Sequence, residues 1–247
     1  MTEARPKIAL ITGGARGIGR AIGLDLAAQG WSIALCYRTS RDDAEAAVAE
    51  IGRAGARGLA VQADVSDPAQ VSGLLARVTA ELGAPDALVH AAGPYHRVDI
   101  LKETPEGWRD MLANNLDSLF YCARAAAPAM IANRWGRILA FGMANADRAA
   151  AQPGVAAHYI AKVGVLALVR SLARSLAPHG ITVNAISPGF VASGSAPEEE
   201  LAKMVKNIPA GYVGTLDDAT ACARYLFSEQ ARYVNGANIV LSGGWGL

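Results

Sequence analysis

Ile8-Ala9-Leu10-Ile11-Thr12 runs straight into Gly13-Gly14-Ala15-Arg16-Gly17-Ile18-Gly19, and a helical pattern follows as far as Gln29. An aliphatic run without polar alternation is what a strand covered on both faces requires. The glycines after it let the chain turn tightly and bring its backbone close to a pyrophosphate. That group then meets the free N–H groups and positive dipole end of the following helix. Glycine turns that bind nothing are common, so the signal lies in placement: Gly13, Ala15, Arg16, Gly17, Ile18 and Gly19 stand between a first strand and a first helix.

The same alternation continues along the chain. Further strands are predicted at Ser32 to Tyr37, Gly58 to Gln62, Ala87 to His90, Arg137 to Phe141, Ile181 to Ile186 and Asn238 to Leu241. Helical patterns separate them, at Gly17 to Gln29, Arg41 to Arg53, Pro68 to Leu82, Pro105 to Ala132, Val155 to Ala177 and Asp217 to Phe227. This order predicts a doubly wound α/β fold of Rossmann type, a parallel sheet of seven strands with helices on both faces. Asp67 before Pro68 reads as an N-cap, and Gly30, Gly55, Gly83 and Gly180 lie just past helix ends, where glycine tolerates left-handed φ. No linker or repeat interrupts the pattern, so 1–247 is expected to be a single domain. The polar stretch from Ser193 to Pro209, acidic at Glu198 to Glu200, reads either as a substrate lid or as a plain surface helix.

Composition narrows the partners. The chain has 247 residues, 52% hydrophobic, and its 23 basic and 22 acidic side chains leave a net charge of +1. A general nucleic-acid binder would carry a basic excess, so none is expected, though one phosphate pocket is compatible with this balance. Cys36, Cys122 and Cys222 are odd in number and form no CxxC pair, which fits a reducing compartment. The first residues carry charges where a signal peptide needs its apolar core, and no run approaches the roughly 18 uncharged apolar residues of a membrane span. A cytoplasmic location without a membrane partner is expected. The histidines and acids show no metal-ligand spacing, so no metal is expected.

The end of the second predicted strand, Cys36-Tyr37-Arg38-Thr39-Ser40, is where such folds meet the adenosine ribose. A carboxylate there would bind a 2′-hydroxyl; none is present. Arg38, with Arg16 from the glycine turn, could clamp a 2′-phosphate, which favours NADP(H). The plainer alternative makes both solvated surface arginines.

At this point the sequence resembles the short-chain dehydrogenase/reductase family, and within it the bacterial 3-oxoacyl-acyl carrier protein reductases. The likeness spans the whole chain. Besides Thr12 to Gly19, it is carried by Ala63-Asp64-Val65, Ala91-Ala92-Gly93, Asn115-Leu116, Gly136-Arg137-Ile138 and Ile181-Thr182-Val183-Asn184. Ser187-Pro188-Gly189, Ile208-Pro209-Ala210-Gly211 and Gly243-Gly244 complete it. The resemblance implies that Asp64 and Val65 contact the adenine, that Ala91, Ala92 and Gly93 pass behind the ribose, and that Pro188, Gly189, Val191 and Ser193 hold the carboxamide. It also implies a homotetramer or homodimer built on the two long central helices, whose alanine-rich apolar faces need cover.

The resemblance breaks at the chemistry. The family uses Asn, Ser, Tyr and Lys, the last two as Tyr-x-x-x-Lys. Asn115 and Lys162 match, but His158 stands four residues before the lysine, and Tyr159 falls one position late. No serine or threonine lies between Ser118 and Ser171, so Met143 or Asn145 takes the serine position. Asn145 is favoured because an amide can donate to a substrate oxygen and a thioether cannot. Lys162 nearby should push the His158 pKa below about 6.5 and leave the imidazole neutral, a poor proton donor. The proton could instead come from Tyr159 or from the small protonated fraction of His158. Or the substrate could be an iminium or conjugated system, such as a pteridine or cyclic imine, where hydride delivery makes no localised alkoxide. His90 reads as a core hydrogen-bonding residue, and His96 as one at the pocket mouth.

The expected activity is NADPH-dependent reduction of a carbonyl or imine on a small or acyl-carrier-linked molecule. Two alternatives stand beside it: a nucleotide-binding sensor or structural protein with an impaired site, and non-redox chemistry with His158 as base.

Overall fold

A computed structural model of the chain describes residues 5–148, 150–194 and 197–246. Its strands are β1 (Ile8–Thr12), β2 (Ser32–Tyr37), β3 (Gly58–Gln62), β4 (Ala87–His90), β5 (Gly136–Phe141), β6 (Ile181–Pro188) and β7 (Asn238–Leu241). They form one parallel sheet in the order β3-β2-β1-β4-β5-β6-β7. The helices are α1 (Gly17–Ala28), α2 (Arg41–Arg53), α3 (Pro68–Glu81), α4 (Pro105–Leu112), α5 (Ser118–Asn133), α6 (Ala156–Leu176), α7 (Glu198–Met204) and α8 (Leu216–Phe227).

The near-continuous hydrophobicity of the strands has the cause expected of it: successive side chains enter opposite cores. Leu10, Ala34, Leu88 and Ile138 join Val71, Leu119 and Val165 from α3, α5 and α6 on one face. Ala9, Ile11, Val89 and Leu139 join Ile22, Ile51 and Leu226 from α1, α2 and α8 on the other. Each buried Leu, Ile or Val contributes roughly 1.5–3 kcal/mol, so the register of the central strands is fixed from both sides. The strand order reverses between β1 and β4, the place where open parallel sheets bind ligands beyond the carboxyl ends of their strands.

Helix ends follow local chemistry. Asp67 accepts from the Ala69 N–H at 2.8 Å ahead of Pro68, and Thr215 with Asp218 forms a reciprocal capping box on α8. The single helix expected from Pro105 to Ala132 is interrupted: Ala113–Asp117 is a π-helical turn between α4 and α5. An extra residue in one turn leaves apolar spacing nearly unchanged, so hydrophobic periodicity carries no trace of it.

Pro153–His179 is long and apolar enough to cross a membrane by length and composition, but it holds His158, Lys162, Arg170 and Arg174 and packs α6 against β6, α4 and the π turn. Cys36 and Cys122 are buried, Cys222 is partly so, and all three thiols are free. Of the stretch from Ser193 to Pro209, Ser195 and Ala196 lie outside the described residues; the remainder forms α7 and a short 3-10 turn, and Met204 reaches the main cleft.

Candidate active site

Two clefts open beyond the strand ends and share Gly13, Arg16 and Gly93: one of about 930 Å³ over β4, β5 and β6, and one of about 280 Å³ over β2 and β3. The glycine turn forms their common wall. Gly13 has φ +63, and a Cβ there would lie 2.8 Å from Ala91 O and Ala92 N, so only glycine lets the β1 and β4 loops meet. Gly17, Ile18 and Gly19 line the large cleft and Ala15 the small one. Ala91, Pro188, Gly189 and Ser193 also line the large cleft, and Ala92, Arg38, Asp64 and Val65 the small one. Val191 does not reach either; it is buried in a bridge to Gly214, which anchors the loop that carries Ser193.

At the small cleft Arg16 bonds Asp43 Oδ2 at 2.6 Å and Ser40 Oγ at 2.7 Å. Arg38 lies 3.7 Å from Asp64 Oδ2 and donates to Asn114 Oδ1 at 3.4 Å. Hydrogen bonds from Ser66, then the charge of Arg38, hold the Asp64 carboxyl below the usual carboxylate range. Both guanidiniums are more than half exposed, and ion pairs of that kind are worth about 0–1 kcal/mol, so either arginine is released cheaply to another anion.

The reacting end is built on the first turns of α6 and the end of β5. Lys162 is buried and donates from Nζ to the Phe141 carbonyl at 2.9 Å; burial lowers its pKa to about 8. His158, one turn earlier, lines the large cleft. Its Nδ1 lies 3.2 Å from the Pro94 carbonyl, and its ring meets Tyr95 edge-on at 5.0 Å. Burial first, and Lys162 second, push its pKa down to about 4, so the neutral imidazole expected beside a lysine owes more to desolvation than to charge. Asn115 sits in the π turn behind Gly93, where a Cβ on Gly93 would strike its Oδ1. Its Nδ2 donates to Met111 O at 3.0 Å and Pro94 O at 3.2 Å, and its buried Oδ1 has no partner.

The two candidates for the serine position lie in different surroundings. Met143 lines the cleft, whereas Asn145, at φ +75, packs its amide against Gly246. Tyr159 is turned away as well. Its hydroxyl donates to the Arg148 carbonyl and accepts from the Ala150 N–H, which leaves it unavailable to the cleft. His96 pairs with Glu103 at 2.6 Å. Sequence reasoning missed Tyr95, Gln152, Phe190 and Trp245 on the cleft wall, because loop aromatics and amides carry no periodicity. Among the described residues no group of His, Cys, Asp or Glu could hold a metal ion.

A family profile described as enoyl-(acyl carrier protein) reductase matches residues 13–246. Over 241 residues the chain is 37% identical to the 3-oxoacyl-(acyl-carrier-protein) reductase FabG of Staphylococcus aureus, covering 96% of this chain and 97% of that protein. It is 34% identical to FabG of Escherichia coli strain K12, covering 96% of each. The structure matches a short-chain type dehydrogenase/reductase from Mycobacterium marinum with a TM-score of 0.91 at 31% identity, over 98% of this chain and 96% of that one. A dehydrogenase/reductase from Sinorhizobium meliloti 1021 matches with a TM-score of 0.90 at 31% identity, over 99% and 96%. The chain belongs to the short-chain dehydrogenase/reductase family, oxidoreductases that use nicotinamide cofactors. Within that family it resembles the 3-oxoacyl-acyl carrier protein reductases.

Proposed function

We propose that this chain is an NADPH-dependent reductase of a carbonyl or imine on a small or acyl-carrier-linked molecule, working with an altered catalytic set. The observation that carries the reading is the continuity of the clefts from Arg16 and Arg38 to Lys162 and His158. The glycine turn and the N-terminus of α1 would hold the pyrophosphate, and Arg16, Arg38 and Ser40 a 2′-phosphate. Lys162 would hold the ribose of the nicotinamide half, and Pro188, Gly189 and Ser193 its carboxamide. When bound, the cofactor supplies the hydride. Tyr95, Phe190, Trp245 and Met143 then orient the substrate and keep water from the reacting carbon, while Asn115 fixes the Pro94 carbonyl that in turn holds His158.

The same reading makes the chain cytoplasmic and a homodimer or homotetramer. Phe120 on α5 and Ile160 and Val163 on α6 are 39–44% exposed, an apolar face that a second copy would cover. NADPH and NADH titrations followed by cofactor fluorescence, then hydride transfer to ketones, β-ketoacyl thioesters, cyclic imines and pterins, test the function; light scattering tests the assembly. NADPH is expected to bind at least tenfold more tightly than NADH. Binding without turnover on any class would favour a nucleotide-sensing role, which a histidine rather than a tyrosine four residues before Lys162 also suits. No binding would end both readings.

A further inference from the structure

The Pro94 carbonyl decides which nitrogen of His158 carries the hydrogen. A carbonyl only accepts, so at 3.2 Å it fixes the hydrogen on Nδ1 and leaves Nε2 of the neutral ring with a bare lone pair. Among the described residues Nε2 has no protein partner, while the ring itself lines the large cleft. The packing holds this orientation: Tyr95 meets the ring edge-on, and Asn115 Nδ2 bonds the same Pro94 carbonyl. Of the other groups near the reacting position, Met143 is a thioether, the Tyr159 hydroxyl is engaged by the Arg148 carbonyl and the Ala150 N–H, and the Tyr95 hydroxyl is bonded to Arg97.

A ketone oxygen set against Nε2 would face lone pair to lone pair. An alcohol would donate its O–H well, but its oxidation must move that proton onto Nε2, and a pKa of about 4 makes the imidazolium scarce at neutral pH. A protonated imine has neither difficulty. We propose that His158 accepts the N–H of a protonated cyclic imine and so selects imines over ketones as the hydride acceptor of this site. The step balances without any proton transfer: hydride adds to the imine carbon, the C=N π pair moves to nitrogen, the N–H hydrogen stays in place, and the amine leaves with the nicotinamide oxidised. The cations of this part of the cleft are otherwise engaged, Lys162 Nζ by the Phe141 carbonyl and Arg97 by the Tyr95 hydroxyl. The aromatic walls supplied by Tyr95, Phe190 and Trp245 suit a flat ring carrying a positive charge.

This inference deepens the reductase reading and rests on it, so the test separates the two. The nitrogen-15 imidazole spectrum of the whole protein, with NADPH added and the His158 signals assigned by their loss in His158→Gln, needs no turnover. Hydrogen on Nδ1 and a bare Nε2 at pH 7 are expected; hydrogen on Nε2, or on both nitrogens, overturns the proposal. With NADPH, kcat/KM for dihydroisoquinoline is expected to exceed that for its ketone counterpart tetralone by at least 100-fold, and His158→Tyr to narrow that ratio at least tenfold. Equal use of tetralone, no imine reduction, or a ratio unmoved in His158→Tyr overturns it. A parallel NADPH titration assigns the fault. If NADPH binds, only the imine preference falls; if it does not, the reductase reading falls with it.

Discussion

At the nucleotide end of the cleft the walls are largely main chain: the Gly13 turn, the N-terminus of α1, and the Ala91–Gly93 segment pressed against it. At the reacting end they are side chains, with His158 and Lys162 rising from α6 and Met143 from the loop after β5. Backbone walls admit few sequences, because a Cβ at Gly13 has nowhere to go. Side-chain walls admit many, because exchanging one ring for another at position 158 leaves the helix intact. The two ends can therefore diverge independently, one fixed by sterics and the other free to change chemistry.

The contrast predicts mutations that strike one end and spare the other. Gly13→Val forces a β-branched residue to φ +63 with its Cβ against Ala91 and Ala92. NADPH affinity should fall by more than about 100-fold, about 2.8 kcal/mol, while the imidazole spectrum of His158 stays unchanged. Lys162→Met should lower hydride transfer by about 100-fold and NADPH affinity by less than about tenfold. Removing its charge also takes away the second cause of the low His158 pKa, so that value should rise from about 4 while burial keeps it below 6.5. Rapid-mixing kinetics and a nuclear magnetic resonance titration read the two effects. A Lys162→Met protein that binds NADPH no better than Gly13→Val would erase the division between the ends.

Smaller effects belong to the arginines. Arg16→Ala and Arg38→Ala should each weaken NADPH by about tenfold and leave NADH nearly untouched, as measured by fluorescence titration. Equal losses for both cofactors would make the two residues the plain surface arginines of the alternative reading.

What the sequence made legible divides along the same line. The seven strands and the glycine turn were readable because burial on both faces and positive φ restrict residue type directly. The π turn at Ala113–Asp117 was not, since one extra residue hardly disturbs apolar spacing. Asn145 was favoured over Met143 on donor chemistry, but its position depends on a left-handed backbone and the close approach of Gly246, neither of which leaves a local pattern. The Nδ1–Pro94 bond joins residues 64 apart and had no local trace either. The departure at His158 was plain from the Lys162 spacing; what it does chemically had to wait for the neighbour that fixes its tautomer.

His90 tests whether the two ends are mechanically joined. The Ala92 N–H donates to Thr12 Oγ1, which donates to His90 Nδ1 at 3.0 Å; His90 Nε2 donates to Ser118 Oγ at 3.0 Å, which donates to the Asn114 carbonyl in the π turn. Each group has one role left once its neighbour is assigned, so the chain runs from the glycine-turn strand to the helix that carries Asn115. Asparagine at position 90 cannot span both hydroxyls, and one unsatisfied buried partner costs about 1–3 kcal/mol, a Tm loss of a few degrees. The pH dependence separates this loss from ordinary damage. Burial, then Lys162, holds the His90 pKa down to about 3, and burial also leads the lowering at His158. As pH falls below 6.5 the unfolded chain binds protons that the folded chain refuses. Stability present above 6.5 is therefore lost on acidification, by about 1.4 kcal/mol per pH unit for each imidazole. His90→Asn removes one of the two, so its Tm should start lower at pH 7 yet fall only about half as steeply between pH 6.5 and 5. Parallel Tm curves over that range would show that His90 titrates normally in the folded chain and that the link between the ends carries no buried neutral imidazole.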